Sequence, residues 1–259
     1  MLISNKMSRY QILNNLIFSC NRKRYSRLPY AWTKVATIKH LLEKIPELKT
    51  SFLKEVKNIH DIGPLTEFAL KSTFGHSARE VFILKRVSDG SYYDIVRKKK
   101  YSVTHIMKLI LKLKQPFIEK RLGTKFVPYD IKVHIFFGRL CFFYIYNKGY
   151  NNQYSKARYD KNLRYIQYNK MFFPGAFKGY IHFKENGNII KSVNLESLKQ
   201  ILFYSVKIFE QLDNLVYCSV DWLYDPLSGE YAFCELTPTP FVLSKPIKTA
   251  FIQTYISNK

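Results

Sequence analysis

Two acidic residues near the end of the chain have the spacing of a metal site. Asp221 and Glu235 lie on apolar segments 216–223 and 231–237, which are joined by the turn residues of 225–229. If a five-residue loop closes this hairpin, the two acids lie directly opposite each other, with Cβ atoms roughly 4.5–5.5 Å apart. Two carboxylates at this distance repel unless a proton or a cation lies between them. The spacing therefore indicates a Mg²⁺ site, and the alternative is that each acid pairs with a separate lysine or arginine.

The same register predicts which residues share a face with the acids. Side chains alternate along a strand, so Ser219 and Thr237 lie opposite each other on the face that carries Asp221 and Glu235. A shift of one residue would move one acid to the other face. That other face is predicted to be apolar, with Cys218, Val220, Trp222, Cys234 and Leu236.

Lysines could supply the positive charge that a phosphate group needs. Lys71 ends an apolar segment and is followed by a loop of small residues that contains Gly75, His76 and Ser77. Backbone N–H groups of such a loop can bind phosphate oxygens, although a single glycine is also typical of an ordinary hairpin turn. Lys132 alternates with apolar neighbours on another predicted strand. Together with the two acids, the lysines would form a site for phosphate and Mg²⁺.

These residues must be positioned by elements in which hairpins alternate with helices. Apolar spacing predicts helices over 33–44 and 103–114 and, after the N-cap residue Asn194, a third helix to about residue 212. Val103 and Leu195 are expected on the buried sides of the last two helices. Weak periodicity predicts a partly irregular excursion over 147–178. Alternation predicts strands over 67–71, 80–86, 117–122, 131–137, 140–146, 216–223 and 231–237. This order is typical of an α+β fold with antiparallel sheets.

The charge of the chain favours anionic partners. Its 259 residues include 42 Lys and Arg against 19 Asp and Glu, a net charge of +23, and the apolar fraction of 47% is high enough to exclude disorder for most of the chain. Phosphorylated substrates, acidic polymers, anionic membrane surfaces and nucleic acids all fit this charge. No nucleic-acid-binding motif accompanies it, so nucleic acid is not expected as a partner, whereas peripheral contact with an anionic membrane surface stays open.

Cysteine usage and hydropathy predict a cytoplasmic protein. The four cysteines have neither the spacing of a metal site nor that of a disulfide framework, which is typical of reduced core residues. No apolar run approaches the ~18 residues that a membrane-spanning helix needs. The cysteines are Cys20, Cys141, Cys218 and Cys234.

Taken in order, the motifs resemble those of the ATP-grasp superfamily, and most closely its TupA-like branch, which is named for teichuronopeptide biosynthesis. The resemblance covers roughly residues 28–241. It is carried by five segments that follow the family's order: Trp32–Val35, Phe68–Lys71 with Gly75–Ser77, Phe117–Leu122, Tyr129–Lys132 with Phe137-Gly138, and Ser219–Asp221 with Tyr231–Pro238.

The resemblance implies an ATP-grasp-like fold of two antiparallel-sheet subdomains with helices, and a nucleotide cleft between them. It divides the chain into a basic N-terminal segment, residues 1–27, and an N-terminal helical part, residues 28–66. A small ATP-grasp subdomain over 67–122 would contain the lysine strand, the phosphate loop and the hinge. A large subdomain over 123–259 would contain the metal-binding hairpin.

The resemblance also implies two cofactors, ATP and Mg²⁺, and assigns residues to each. Lysines and the small-residue loop would contact the phosphates of ATP, the hinge would hold adenine, and the hairpin would bind Mg²⁺. Lys132 and Arg139 are candidate catalytic cations. The other assignments are Lys34, Lys71, Gly75, His76 and Ser77 for the phosphates, Ile118, Glu119, Lys120 and Arg121 for the hinge, and Asp221, Glu235 and Thr237 for the metal.

The implied function is an ATP- and Mg²⁺-dependent carboxylate–amine ligase that forms an amide through an acyl-phosphate. The ligase would act on an anionic carboxylate substrate and an amine donor, in the biosynthesis of a capsule, a cell wall or another surface polysaccharide. The physical reason is that a carboxylate is a poor acceptor for an amine until ATP activates it.

Two departures from the family keep other functions open. Ser219 stands where the family has an arginine that would steady the charge of the acyl-phosphate, and Lys120 replaces a second hinge acid. Arg139, Arg158 or Arg164 could supply the missing cation. The alternatives are an ATP-grasp kinase of an anionic sugar or inositol phosphate, and a degenerate protein that binds an anionic polymer without catalysis.

Overall fold

The computed structural model describes residues 33–74, 80–123, 128–148, 154–166, 184–212 and 215–238. The described residues form two compact units, one over 33–123 and one over 128–238. Each unit contains one six-stranded sheet with few helices, which confirms the predicted α+β class. None of the helices in the described ranges combines the length and the apolar character needed to cross a bilayer.

The smaller unit consists of a sheet, two helices and one 3-10 turn. Its strand order is β1-β6-β2-β3-β4-β5, and all its strand pairs are antiparallel. The strands predicted over 67–71, 80–86 and 117–122 are confirmed within two residues. The elements are α1 (Lys34–Lys44), β1 (Phe52–Glu55), the 3-10 turn (Ile59–Ile62), β2 (Glu67–Ser72), β3 (Val81–Arg86), β4 (Tyr92–Asp94), β5 (Lys99–Tyr101), α2 (Val103–Lys112) and β6 (Pro116–Lys120).

Helix α2 covers one face of this sheet and is shorter than predicted. Its buried residues Ile106 and Ile110 belong to an apolar cluster with Phe68 and Leu70 of β2 and with Leu84 of β3. The helix ends at Lys112 because the next residue is extended and the carbonyl groups of residues 114 and 115 accept hydrogen bonds from residues 72 and 73. The first residue of the helix, predicted to be buried, is instead 40% exposed.

The larger unit contains the second sheet, in the order β10-β9-β8-β7-β11-β12. All its strand pairs are antiparallel except β9 with β10. The hairpins predicted around residues 138 and 228 are both confirmed. The elements are β7 (Tyr129–Phe136), β8 (Arg139–Lys148), β9 (Tyr154–Asp160), β10 (Lys184–Glu185), a 3-10 turn (Ile189–Ser192), α3 (Leu195–Glu210), β11 (Tyr217–Tyr224) and β12 (Tyr231–Thr237).

Strand β9 was not predicted, because it lies within a longer segment, residues 147–178, whose periodicity is weak. Ala157 and Tyr159 lie on its apolar side, and the ring of Tyr159 stacks on that of Phe143 at 5.3 Å. The other side carries Lys156, Arg158 and an aspartate, so the alternation covers only five residues. The prediction of an irregular excursion is therefore wrong for residues 154–160.

Helix α3 covers the apolar face of the larger sheet. As predicted, Asn194 caps the helix, since its side chain accepts a hydrogen bond from the backbone N–H of Ser197 at 3.0 Å. Trp222 of β11 donates its indole N–H to Ser205 Oγ at 2.8 Å, which fixes the helix on the sheet. Leu195, expected on the buried side, is 52% exposed because it opens the helix.

The opposite face of the larger sheet is polar, and it contains a buried histidine. The ring of His134 stacks on Phe142 at 4.4 Å, and Nδ1 lies 2.9 Å from the hydroxyl of Tyr217. Burial lowers the pKa of His134 well below 6.5, and the charges of Lys132 and Arg158 lower it further. The imidazole is therefore neutral in the folded protein at neutral pH.

This histidine should make the stability depend on pH. The unfolded chain gains a proton on His134 below about pH 6.5 while the folded chain does not, so this group should lower the free energy of unfolding by about 1.4 kcal/mol for each pH unit of decrease below that value. Asp221, whose pKa is raised to about 6, contributes a slope of the opposite sign, so the contribution of His134 is the difference between wild type and His134→Gln. Urea denaturation of wild type and of His134→Gln between pH 7 and pH 5, with circular dichroism as the readout, tests this. In the His134→Gln variant, the slope of the free energy of unfolding against pH should change by the contribution of one proton. The variant His60→Gln, at an exposed position, should keep the wild-type slope.

Candidate functional site

The hairpin of β11 and β12 places the two predicted metal ligands opposite each other. Asp221 pairs with Glu235, and Ser219 pairs with Thr237, as expected. The loop that leads to this register differs from the prediction. Tyr224 pairs with Tyr231, so the loop has the six residues 225–230, and a bulge after Asp221 restores the predicted pairs.

Local hydrogen bonds explain the six-residue loop. The backbone N–H of Asp225 donates to the carbonyl of Glu230, and that of Gly229 donates to the carbonyl of Asp225, both at 2.8 Å. Gly229 has a φ of +73°, which a side chain would disfavour. The bulge takes up Cys234, which is therefore half-buried and does not lie on a continuous apolar face as predicted.

A row of side chains crosses five strands at the level of the acids. Lys132 of β7 lies opposite Asp221, Tyr144 of β8 lies opposite Lys132, and Arg158 of β9 lies opposite Tyr144. Residues directly opposite each other project from the same face of a sheet. The row therefore brings two carboxylates and two cations to one polar face: Glu235, Asp221, Lys132, Tyr144 and Arg158.

The two carboxylate oxygens of Asp221 differ in their contacts. Its Oδ2 lies 2.6 Å from Nζ of Lys132, whereas its Oδ1 is buried without a hydrogen-bond partner among the described residues. Burial raises the pKa of Asp221 to about 6; Lys132 opposes this effect, and Glu235 adds to it. Burial also opposes the charge of Lys132, but the attraction of Asp221 outweighs it and raises the pKa of Lys132 above its ordinary value.

These residues fit a hard divalent cation. A buried carboxylate oxygen without a partner, next to a second carboxylate, is an environment that Mg²⁺ would relieve. Thr237 is half-buried two residues further along β12 than Glu235, opposite Ser219. No cluster of three or more His, Cys, Asp or Glu residues suited to a metal occurs in the part of the chain that the structure describes. Two carboxylates would leave the other coordination positions to water and phosphate oxygens, as is usual for Mg²⁺.

The smaller unit brings two other predicted site residues together. Lys71 of β2 and Glu119 of β6 form an ion pair in which the side chains are only 12% and 3% exposed. The pair lies on the face of the sheet opposite α2, because Phe68 and Leu70 of β2 face the helix and Lys71 alternates with them. A lysine held in this way has a fixed position from which it can contact an anion.

The predicted hinge is only partly available to a ligand. Ile118 is a core residue, and the backbone of β6 pairs on both sides, with β1 and with β2. The backbone N–H of Lys120 donates to the carbonyl of Ser51 at 2.7 Å. The first backbone groups beyond the strand pairs are those of 121–123. The side chain of Arg121 donates to Glu67 at 2.5 Å.

Of the other predicted site residues, one begins a helix of the smaller unit and one lies apart from Lys132 in the larger unit. Lys34 is the first residue of α1, which is capped by Thr33. Arg139 is the first residue of β8 and pairs with Phe136, four residues along β7 from Lys132, a separation of roughly 13 Å. The loop residues Gly75, His76 and Ser77, like the basic segment 1–27, fall outside the described residues. Their assignments stay predictions.

Arg158 is the cation that sequence reasoning did not single out. It was one of three arginines considered, and the structure places it on the row of Asp221, 3% exposed, with its guanidinium carbon 5.0 Å from the ring centre of Tyr144. Arg164 lies beyond the end of β9. The sequence signal that could have located Arg158 is the position of Ala157 and Tyr159 two residues apart, as on the apolar side of a strand.

Comparison by sequence gives no match: no protein-family model and no curated protein is significantly similar to this chain. Comparison by structure gives several ligases. D-alanine–D-alanine ligase from Bacillus anthracis matches with a TM-score of 0.50 and 14% identity over 88% of this chain and 67% of the ligase. The VanG D-Ala:D-Ser ligase from Enterococcus faecalis matches with a TM-score of 0.51 and 12% identity over 92% of this chain and 63% of the ligase.

A third match names the fold. The ATP-grasp ligase PsnB, in complex with Mg, ADP and a variant of its minimal precursor, matches with a TM-score of 0.51 and 11% identity over 95% of this chain. The chain spans about two thirds of the length of each of the three ligases. At these identities the similarity concerns the fold of the backbone. It shows that the chain has the ATP-grasp fold.

Proposed function

We propose that this protein is an ATP- and Mg²⁺-dependent carboxylate–amine ligase. The observation that carries the proposal is the pairing of Asp221 with Glu235 in a chain with the ATP-grasp fold. The buried Oδ1 of Asp221, which has no hydrogen-bond partner among the described residues, supports a cation at this point. The TupA-like branch is the group of ATP-grasp proteins that the sequence motifs favour.

Each group then has a specific role. Asp221 and Glu235 would hold Mg²⁺, which would supply positive charge to phosphate oxygens. Lys132, which contacts Asp221 Oδ2, would offer its Nζ donors to a phosphate oxygen. Within the smaller unit, Lys71, held by Glu119, would offer a positive charge to the phosphates of ATP, and the backbone of 121–123 would contact adenine. Catalysis by such a site consists of positioning and charge neutralisation.

The reaction has two balanced steps. A carboxylate oxygen of the substrate attacks the γ-phosphorus of ATP, the bond to the bridging oxygen breaks, and ADP leaves with that electron pair. The amine nitrogen then attacks the carbonyl carbon of the acyl-phosphate, inorganic phosphate leaves, and the nitrogen gives up a proton to form the amide. Lys132 and Arg158, the two cations of the row at Asp221, would supply positive charge to both phosphoryl-bearing groups.

The charge of the chain suggests the kind of substrate. A protein with a net charge of +23 attracts polyanions at long range, so the carboxylate belongs to an acidic polymer or its precursor. A surface polysaccharide that carries uronic acids has this chemistry. This assignment rests on the charge and on the TupA-like resemblance.

One observation favours a second candidate, an ATP-grasp kinase of an anionic sugar or inositol phosphate. Ser219 is buried and its hydroxyl lies 3.5 Å from the carbonyl of Thr237, so it offers no cation at the position where the family has arginine. A kinase would transfer the same phosphoryl group to a hydroxyl and would need no amine.

The ligase reaction can be tested with hydroxylamine as a general amine. Purified protein, ATP, Mg²⁺ and a panel of uronic acids and amino acids should form ADP and an equal amount of hydroxamate. ADP formation with a phosphorylated sugar and no hydroxamate would instead identify the kinase. If neither product forms while the protein is folded and binds ATP, the ligase proposal is wrong for this panel.

The acid pair should be needed for turnover more than for folding. Asp221→Asn and Glu235→Gln each remove one carboxylate charge and should lower ADP formation by at least about 10²-fold at saturating ATP. Removing the charge of Asp221 also relieves the buried repulsion with Glu235, so thermal stability should change little. Glu230→Gln, an exposed acid at the base of the same loop, is the matched control and should keep wild-type activity.

Lys71 should contribute to nucleotide affinity. Lys71→Gln removes its charge and should weaken ATP binding about tenfold in calorimetry. This variant also leaves Glu119 buried without its cation, so Lys71→Gln with Glu119→Gln provides a version without the unpaired charge. Both should bind ATP weakly. Lys85→Gln, which disrupts an exposed ion pair with Glu67 on the same sheet, should bind ATP as the wild type does.

A further inference from the structure

The outer side of helix α2 carries a row of exposed apolar residues. Val103, Met107 and Leu111 are 40%, 42% and 78% exposed, and we call them the α2 stripe. They are four residues apart, so they lie on one side of the helix along a line of about 12 Å. The inner side is already occupied, since Ile106 and Ile110 pack in the core. The stripe is therefore an additional apolar surface that the fold of the smaller unit does not use.

The stripe is bordered by positive charge. Lys108 and Lys112 are exposed and directly follow Met107 and Leu111, and the helix contains no acidic residue. Lys98 and Lys99 are also exposed in the turn that leads through β5 to the helix. A helix with an apolar side, lysines beside it and no acid is the pattern of helices that lie in the interface of an anionic bilayer.

We propose that the α2 stripe docks this protein on a membrane surface that contains anionic phospholipid. The apolar side chains enter the headgroup region, and Lys108 and Lys112 contact lipid phosphates. A protein partner fits less well, because a stable protein interface buries about 800 Å² on each side, and three side chains in a single row cannot supply that. This proposal is independent of the reaction assigned above.

The position of the stripe within the smaller unit supports docking without loss of nucleotide contact. Helix α2 covers one face of the sheet, and Lys71 and Glu119 lie on the other face. A membrane in contact with the outer side of α2 therefore lies across the sheet from these two residues. Docking should leave ATP affinity unchanged.

One end of the stripe meets a cavity that adds to the same surface. Val103 lines an open cavity of about 360 Å³ together with Ile59, His60 and Arg86. The guanidinium of Arg86 is fixed there, because it donates to the carbonyl of Gly63 at 3.0 Å and to a tyrosine hydroxyl at 2.9 Å. The cavity thus extends the apolar surface and places a cation beside it, where a lipid phosphate would lie.

Vesicle sedimentation tests the proposal. The full chain should sediment with vesicles of phosphatidylcholine mixed with phosphatidylserine, and little with phosphatidylcholine alone. Met107→Glu with Leu111→Glu should reduce binding to the mixed vesicles by at least about tenfold. Lys108→Gln with Lys112→Gln should reduce it less, and should also reduce its sensitivity to salt. Circular dichroism should be unchanged, because all four positions are exposed.

The matched control changes the charge equally in the other unit. The double variant Leu195→Glu with Leu227→Glu also replaces two exposed apolar side chains by glutamate. This variant should retain nearly all binding. Equal loss in this control and in the stripe variant would show a general charge effect and overturn the proposal. Failure of the wild type to sediment with mixed vesicles would overturn it as well. ATP affinity, measured in the same variants, reports separately on the nucleotide site.

Discussion

The structure depends on the repulsion between two carboxylates that the backbone holds close together. Strand pairing of β11 with β12 fixes Asp221 against Glu235, and burial, together with the repulsion between the two acids, raises the pKa of Asp221 to about 6. Lys132 relieves part of the conflict, and one carboxylate oxygen stays without a hydrogen bond among the described residues. A cation bound at the hairpin would therefore reduce the repulsion between the two carboxylates.

The smaller unit uses the two faces of its sheet for different purposes. One face builds the core with α2, and the other carries the buried ion pair of Lys71 with Glu119. Placing an ion pair on a sheet face requires that each charge be balanced, because an unpaired charge in that position would be costly. The apolar packing with α2 is therefore separated from the charged side chains by the sheet itself.

Much of this could be predicted from the sequence where two signals agreed. The Asp221–Glu235 pair followed from an alternating pattern and a turn, and the cap at Asn194 followed from residue type. Prediction failed where a short alternating strand lies within a longer polar segment, so β9 and the position of Arg158 were missed. It also failed at helix starts: Val103 and Leu195 fit the apolar period but lie beyond the surface that the helix covers.

The hinge shows a further limit of sequence reasoning. A motif locates a segment, but which of its backbone groups are available depends on partners that are distant in sequence. Ser51 lies almost 70 residues before Lys120 and occupies its backbone N–H. Only the strand order reveals that β6 is an interior strand.

The bulge at Cys234 divides the hairpin into two pairing registers, one next to the turn and one at the acids. Six residues turn the chain, and the extra residue in β12 absorbs the offset before the acids are reached. The strand pairs from Tyr224 with Tyr231 onward include no residue of the tip, so the tip can change in length without moving Asp221 away from Glu235. Deletion of Cys234 would likewise keep each of these pairs, because it joins the two registers directly.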